Sequence, residues 1–287
     1  MNKGRIIKGV GGLFTVMANN TTYTLKARGK LKEEGELSVG DFVAFNDDVI
    51  EERLPRKNSL IRPFISNLDQ IVLVLSSLPQ PDFYLVDKII AKTIEDKVDI
   101  VLCVNKKDII SKEFEDNIIN QYKNAVTNII FTSCFEKHGL DNLKEVLKGK
   151  LSVLAGQSAV GKSSLINLLI DKEHMTIGEL SYKTKRGKHT TRHAELFSLG
   201  EDTYVVDTPG FSMFELSGFD PYKFHEYYTD FDIYRDKCRF GGNCTHINEP
   251  DCAVKKAVEE GKISKERYKR YLEIYNEIKI QFDRRYS

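Results

Sequence analysis

Four short stretches of this chain combine residue types and spacings that could do chemistry. The first is LSVLAGQSAVGKSSL, residues 151–165, which contains Gly156-x₄-Gly161-Lys162-Ser163. An apolar run leads into it, and apolar residues resume at helical spacing with Leu165, Ile166 and Leu169. Strand, glycine-rich turn and helix start are the context a phosphate-binding loop requires. The glycines let the backbone of Gly156, Gln157, Ser158, Ala159, Val160, Gly161, Lys162, Ser163 and Ser164 curl around an anion, and the helix start adds its positive end. Lys162 would reach the β- and γ-phosphates of a nucleotide, and the Ser163 hydroxyl would ligate Mg²⁺.

The second stretch is Asn105-Lys106-x-Asp108, directly after a strand-like segment 99–104 that is apolar from Ile100 onward. A carboxylate can accept two hydrogen bonds from guanine, at N1–H and at the exocyclic amine, and adenine lacks that donor pair. A site built on such bonds rejects the wrong base by about 10⁴-fold. Asn105 would meet the other edge of the base and the Lys106 stem would lie over its face, with Ser133 and Cys134 as backbone support. The third is Asp207-Thr208-Pro209-Gly210, after the apolar run 204–206. Here Asp207 would hold Mg²⁺ through water and the Gly210 N–H would meet the γ-phosphate. Between the first and third lies a basic loop, KTKRGKHTTRH at 183–193. One of its threonines, Thr191 in preference to Thr190, is expected to close on Mg²⁺ when GTP is bound, as switch segments do.

The fourth stretch is Cys238-x₅-Cys244-x-His246-x₅-Cys252. Three thiolates and one imidazole form a closed set suited to one structural zinc ion. Cys103, by contrast, sits in a buried strand and reads as core.

The surrounding elements must position these residues. With 287 residues, 41% hydrophobic and 30% charged, the chain is long enough for one to three domains and is not disordered. No apolar run reaches the ~20 residues of a membrane span, and the first residues lack a signal-peptide core, so the cytoplasm is the expected location. The net charge of +1 leaves any nucleic-acid surface local. Residues 1–66 read as several short strands separated by turn signals, which fits a five-stranded OB-type barrel. From residue 67 to 228, buried strands alternate with amphipathic helices, as in a doubly wound α/β domain. Residues 229–287 hold the Cys/His cluster and a long helix at 263–280 with Ser264 as N-cap. Its tyrosines read as packing, while Lys265, Arg267, Lys269 and Arg270 are expected to meet RNA phosphates.

The order of the motifs is unusual, because Asn105–Asp108 precedes the phosphate loop. A site formed by loops at one edge of a sheet tolerates such a circular permutation. A permuted GTPase domain between a small β domain and a Cys/His cluster resembles the RsgA family, also called YjeQ or YloQ. The resemblance covers essentially the whole chain. It implies a multidomain fold: an N-terminal all-β OB-type barrel (1–66), a central circularly permuted α/β P-loop GTPase domain (67–228) and a C-terminal helical zinc-binding domain (229–287). It implies binding of GTP and GDP and hydrolysis stimulated by the small ribosomal subunit during late maturation. Contact with its rRNA, no membrane partner and a monomeric state are expected too. The alternative is a GTP-regulated RNA-binding or translation factor acting on mature ribosomes or another RNA. Where Ras-like proteins place a water-orienting glutamine, this chain has Phe211. The family's Gly-Lys/Arg-His-Thr-Thr motif maps the water-positioning role onto His189, which joins Lys162 and Thr191 as an expected catalytic residue. Because the chain runs from 211 directly toward the metal cluster, nucleotide state at 207–210 is expected to be transmitted to that region.

Overall fold

The computed structural model describes residues 1–32, 35–60, 64–170, 196–200, 202–207 and 218–284. The expected residues His189, Thr191 and Gly210 lie outside them, as do Thr208, Pro209, Phe211 and the Asp207 side chain.

The N-terminal strands β1 (Asn2–Val10), β2 (Leu13–Ala18), β3 (Thr21–Ala27), β4 (Phe42–Asn46) and β5 (Val49–Arg53) close into a barrel in the order β1-β2-β3-β5-β4. Alternate residues point inward, so Ile6, Val16, Leu25, Val43, Phe45 and Ile50 fill the interior. Gly4 sits where β1 crosses β2 closely: a Cβ there would lie 2.6 Å from the Met17 carbonyl oxygen. A two-strand pair, β6 (Ser59–Leu60) and β7 (Ile65–Ser66), follows the barrel.

Among the described residues six strands form the central sheet: β8 (Gln70–Leu75), β9 (Asp99–Val104), β10 (Asn128–Phe131), β11 (Leu151–Ala155), β12 (Leu196–Gly200) and β13 (Thr203–Asp207). Their order is β10-β9-β8-β11-β13-β12, all parallel except the β12 edge. The helices are α1 (Phe83–Glu95), α2 (Lys112–Tyr122), α3 (Leu140–Leu147) and α4 (Lys162–Leu169). In β8, Ile71, Leu73 and Leu75 pack with Val86, Ile89 and Ile90 of α1, while Val72 and Val74 pack with Leu143 of α3 and Leu165 of α4. Both faces are therefore covered, which is why the strands read as unbroken apolar runs. The chain moves from β8 outward to β10, then returns to β11 on the other side of β8. That reversal opens a crevice at the carboxyl ends of β8 and β11, the position where open α/β sheets bind ligands.

The C-terminal region contains α5 (Asp232–Arg235), α6 (Ala253–Glu259) and α7 (Lys265–Asp283). Ser264 caps α7 by accepting a hydrogen bond from the Arg267 N–H at 3.3 Å. Phe224, Tyr228, Phe231, Tyr271, Ile274 and Ile278 form its core, joined by Ala91 from α1. Two of the cations expected to face RNA are instead structural. Arg267 is 0% exposed and pairs with Asp87 of α1 and with Asp230 at 3.2 Å. Arg270 donates to Asp87 at 2.5 Å and to Gln121 of α2 at 2.7 Å. The helix had to bring a charged stripe inward because α1 presents a buried carboxylate there. Further along, Glu277 takes Lys88 at 3.0 Å and the Tyr84 hydroxyl at 2.5 Å, so the first half of α1 is joined to α7. Among the described residues no helix is long and apolar enough to cross a membrane.

Candidate nucleotide site and metal centre

The phosphate loop leaves β11 at Gly156 and enters α4 at Lys162. Gly156 has φ +131° and lies so close to β8 that a Cβ would meet the Val74 carbonyl oxygen at 2.2 Å. Gly161 has φ +99°, and a Cβ there would come within 2.2 Å of Asn105 Nδ2. Both glycines are thus required by conformation and by space. Ser158, Ala159, Ser163 and Ser164 are exposed along the turn, whereas Val160 is buried and anchors it. Lys162 folds back, its ammonium donating to the carbonyls of Gly156 at 2.6 Å and Gln157 at 2.7 Å. A phosphate entering the loop can draw that ammonium onto itself.

The Asn-Lys-x-Asp residues emerge from β9 beside this loop and are stitched to it. Asn105 is buried and donates through Nδ2 to the Val160 carbonyl at 2.9 Å. Lys106, held at φ +62°, bridges the carbonyls of Ala159 at 2.8 Å and Leu78 at 2.6 Å. Asp108 is exposed, and the only partner its carboxylate has among the described residues is the Ser133 hydroxyl, at 2.5 Å. Ser133 also accepts from the Glu136 N–H at 3.0 Å, which fixes its direction. Cys134 lies near Asn105 Oδ1, 3.7 Å away, and burial raises its thiol pKa. Asn105, Lys106, Asp108, Ser133, Cys134 and residues 156–164 therefore converge on one crevice, although far apart in sequence.

Two contributors escaped sequence reasoning. The buried Thr132 hydroxyl donates to Asn105 Oδ1 at 3.1 Å and so orients the amide. The Leu78 carbonyl, in the loop after β8, is held by Ser76 and receives Lys106. A backbone carbonyl leaves no mark in a sequence; Thr132, at a strand exit beside Ser133, could have been suspected. A third link leads away from the crevice, where Gln157 accepts the backbone N–H of Asp82, the N-cap of α1, at 3.2 Å.

The second site is the group Cys238, Cys244, His246 and Cys252, all buried, whose ligand atoms lie within 4.8 Å of one another. His246 Nδ1 sits 3.6 Å from the Cys238 sulfur and 3.4 Å from that of Cys252. Its Nε2 has no partner among the described residues. Burial, with His225 adding to it, pushes the His246 pKa down to about 4 and so keeps the imidazole in its ligand form. Burial likewise pushes the Cys244 thiol up to about 12 and raises that of Cys252, a cost that a bound cation would offset. The four donors fit a single tetrahedral metal ion. The helix α7 fixes the turn that carries them: Tyr268 donates to the His246 carbonyl at 2.6 Å and Tyr271 to that of Thr245 at 2.5 Å. Glu249 closes the loop by accepting from Thr245 N, Thr245 Oγ1 and Ile247 N at 2.8, 2.6 and 2.9 Å. Burial alone would raise its pKa, but those donors prevail and hold it at about 2.

Comparison with known proteins agrees with this geometry. Residues 53–217 match the family model described as RsgA GTPase, and residues 3–52 match that of the RsgA N-terminal domain. A protein of Agathobacter rectalis named "Small ribosomal subunit biogenesis GTPase RsgA" is 41% identical over 96% of this chain and 98% of its own length. One of the same name from Alkaliphilus metalliredigens is 39% identical over 97% and 98%. Among solved structures, YjeQ from Thermotoga maritima superposes with a TM-score of 0.81 at 31% identity, covering 96% of this chain and 98% of that one. YloQ, described as a circularly permuted GTPase, gives 0.79 at 32%, covering 98% and 96%.

Proposed function

Because the chain belongs to the RsgA GTPase family, we propose that it hydrolyses GTP to GDP and phosphate while engaged with the small ribosomal subunit during late maturation. The observation that supports this best is the stitching of the guanine-type loop to the phosphate loop through Asn105–Val160 and Lys106–Ala159. One nucleotide can then touch both loops at once, its base at Asp108 and its phosphates at residues 156–164. Asp108 would accept from guanine, Asn105 and Lys106 would shape the base slot, and Ser133 and Cys134 would close it. Ser163, Thr191 and Asp207 would hold Mg²⁺, which supplies positive charge at the β- and γ-phosphates. Lys162 would neutralise the same oxygens, Gly210 would donate to the γ-phosphate, and His189 would orient the attacking water.

In this reading residues 1–66, 67–228 and 229–287 act as three domains of a cytoplasmic monomer that contacts the subunit's rRNA. Cys238, Cys244, His246 and Cys252 would hold one structural zinc ion. Helix α1 supports coupling between nucleotide and zinc domain: its N-cap makes the Gln157 contact, and its first two turns pack on α7 through Tyr84, Asp87 and Lys88. The test is GTP turnover against added small subunits for the wild type and His189→Ala. Stimulation in the wild type and its loss in the variant, with GTP affinity intact, is expected. A rate indifferent to subunits would overturn the ribosomal reading, and an unaffected variant would remove His189 from the mechanism.

A further inference from the structure

Beside the metal centre, against the loop that carries its ligands, lies a cavity of about 510 Å³. It is lined by Phe240, Tyr275, Ile247 and Pro250 and by the amides of Asn243, Asn248 and Asn276. None of the three amides has a side-chain hydrogen-bond partner among the described residues, and all three residues are exposed. Phe240 is 47% exposed although its ring is large and apolar. An aromatic ring left in water beside three unspent amides is the makeup of a site for a flat ligand with both donors and acceptors on its edge. Glu249, which also lines the cavity beside Thr245, spends both carboxylate oxygens on the loop that carries the metal ligands. Its negative charge disfavours a phosphate inside the cavity.

The rim carries cations set beside acids: Arg239 pairs with Asp251 at 3.3 Å and Lys279 with Asp283 at 2.9 Å. The Arg239 guanidinium lies 5.8 Å from the Phe240 ring centroid. The Lys255 ammonium reaches the Glu249 carbonyl at 3.5 Å. Lys279 stands one turn beyond Tyr275 and Asn276 on the same side of α7. A neutral ring would enter while its attached phosphates stay outside, near the cations.

We propose that this cavity receives one unpaired nucleobase of single-stranded RNA, stacked on Phe240 and read along its edge by Asn243, Asn248 and Asn276. Asparagine amides match the adjacent acceptor and amine of adenine, so adenine is the expected base. The site gives the zinc domain a specific grip on RNA that surface lysines alone do not provide. It rests on the reading that the chain works on ribosomal RNA.

The experiment uses the full-length chain loaded with zinc and two labelled strands: a short oligoadenylate, and the same strand with abasic sugars, which keeps the charge. The oligoadenylate is expected to bind about tenfold tighter, the value of one well-stacked base. Phe240→Ala and, separately, Asn276→Ala should erase that difference while zinc content and basal GTP hydrolysis stay at wild-type levels. Equal binding of the two strands, or a preference that survives both substitutions, would overturn the inference. So would binding of stripped small-subunit proteins that Phe240→Ala abolishes, with no preference between strands, since the occupant would then be a peptide loop. Failure of small subunits to stimulate GTP turnover by the wild type is read separately, and it counts against the proposed function.

Discussion

Asn105→Ala separates the base contact expected from the sequence from the phosphate-loop contact seen in the structure. In the structure the amide reaches the Val160 carbonyl at 2.9 Å, inside the phosphate loop, and it is oriented by Thr132 at 3.1 Å. Truncation leaves the Val160 carbonyl buried without its donor. An orphaned buried group of this kind costs about 1–3 kcal/mol. A mid-range loss of about 2 kcal/mol weakens nucleotide binding by about thirtyfold if the loop must regain its shape on binding. Because the lost bond shapes the phosphate loop, the weakening should extend to a ligand with no base. The assay is competition against a fluorescent GTP analogue by GTP and by inorganic tripolyphosphate. Both competitors should weaken by a similar factor in Asn105→Ala. If GTP weakens while tripolyphosphate does not, Asn105 acts on the base and the stitching argument fails. Gly161→Ala attacks the same contact from the other side, since its Cβ would lie 2.2 Å from Asn105 Nδ2 at φ +99°. The two substitutions should therefore combine less than additively.

Asp108→Asn should lower GTP affinity by at least about 100-fold while raising that for xanthosine triphosphate, because the amide donates where the carboxylate accepted; a direct comparison of dissociation constants checks it. Asp87→Ala removes a partner of the fully buried Arg267 and should cost about 3–5 kcal/mol in denaturant unfolding, far more than the exposed-pair change Lys112→Ala. Metal analysis of protein purified without chelators should give one zinc per chain, falling to none with Cys252→Ser. Acid should loosen the C-terminal region first. With the metal removed, burial holds His246 down at about 4 against an ordinary 6.5, so the unfolded state binds the extra proton and stability falls as pH drops from 6.5 toward 4. Glu249, held at about 2 against 4.5, adds a loss as pH falls below 4.5. Tyrosine fluorescence against pH, compared in wild type and Glu249→Gln, follows both, and the variant should lack the lower step.

The phosphate loop, Asn-Lys-x-Asp and the cysteine cluster were legible because each is a local spacing whose chemistry depends on neighbours in the chain. The parallel sheet was legible because strands covered on both faces must be continuously apolar, as 71–75 and 100–104 are. Strand β5 was harder to see: Glu51, Glu52 and Arg53 hide the single inward residue Ile50. Arg267 and Arg270 were misplaced for a related reason. Four cations within six residues of a helix look like a solvated face, and the carboxylate that draws two of them inward lies 180 residues away from Arg267. The Asn105–Val160 bond spans 55 residues and ends on a backbone carbonyl, so no residue type announces it. Sequence shows which groups can react; the partners that orient them come from contacts between distant segments.

The most direct test of a guanine nucleotide held across these loops is equilibrium binding of GTP and ATP to the purified full-length chain with Mg²⁺. GTP should bind at least about 10³-fold tighter than ATP, as expected where guanine's donor pair has no counterpart in adenine. Equal affinities, or a preference for ATP, would contradict the joint use of Asp108 and the phosphate loop.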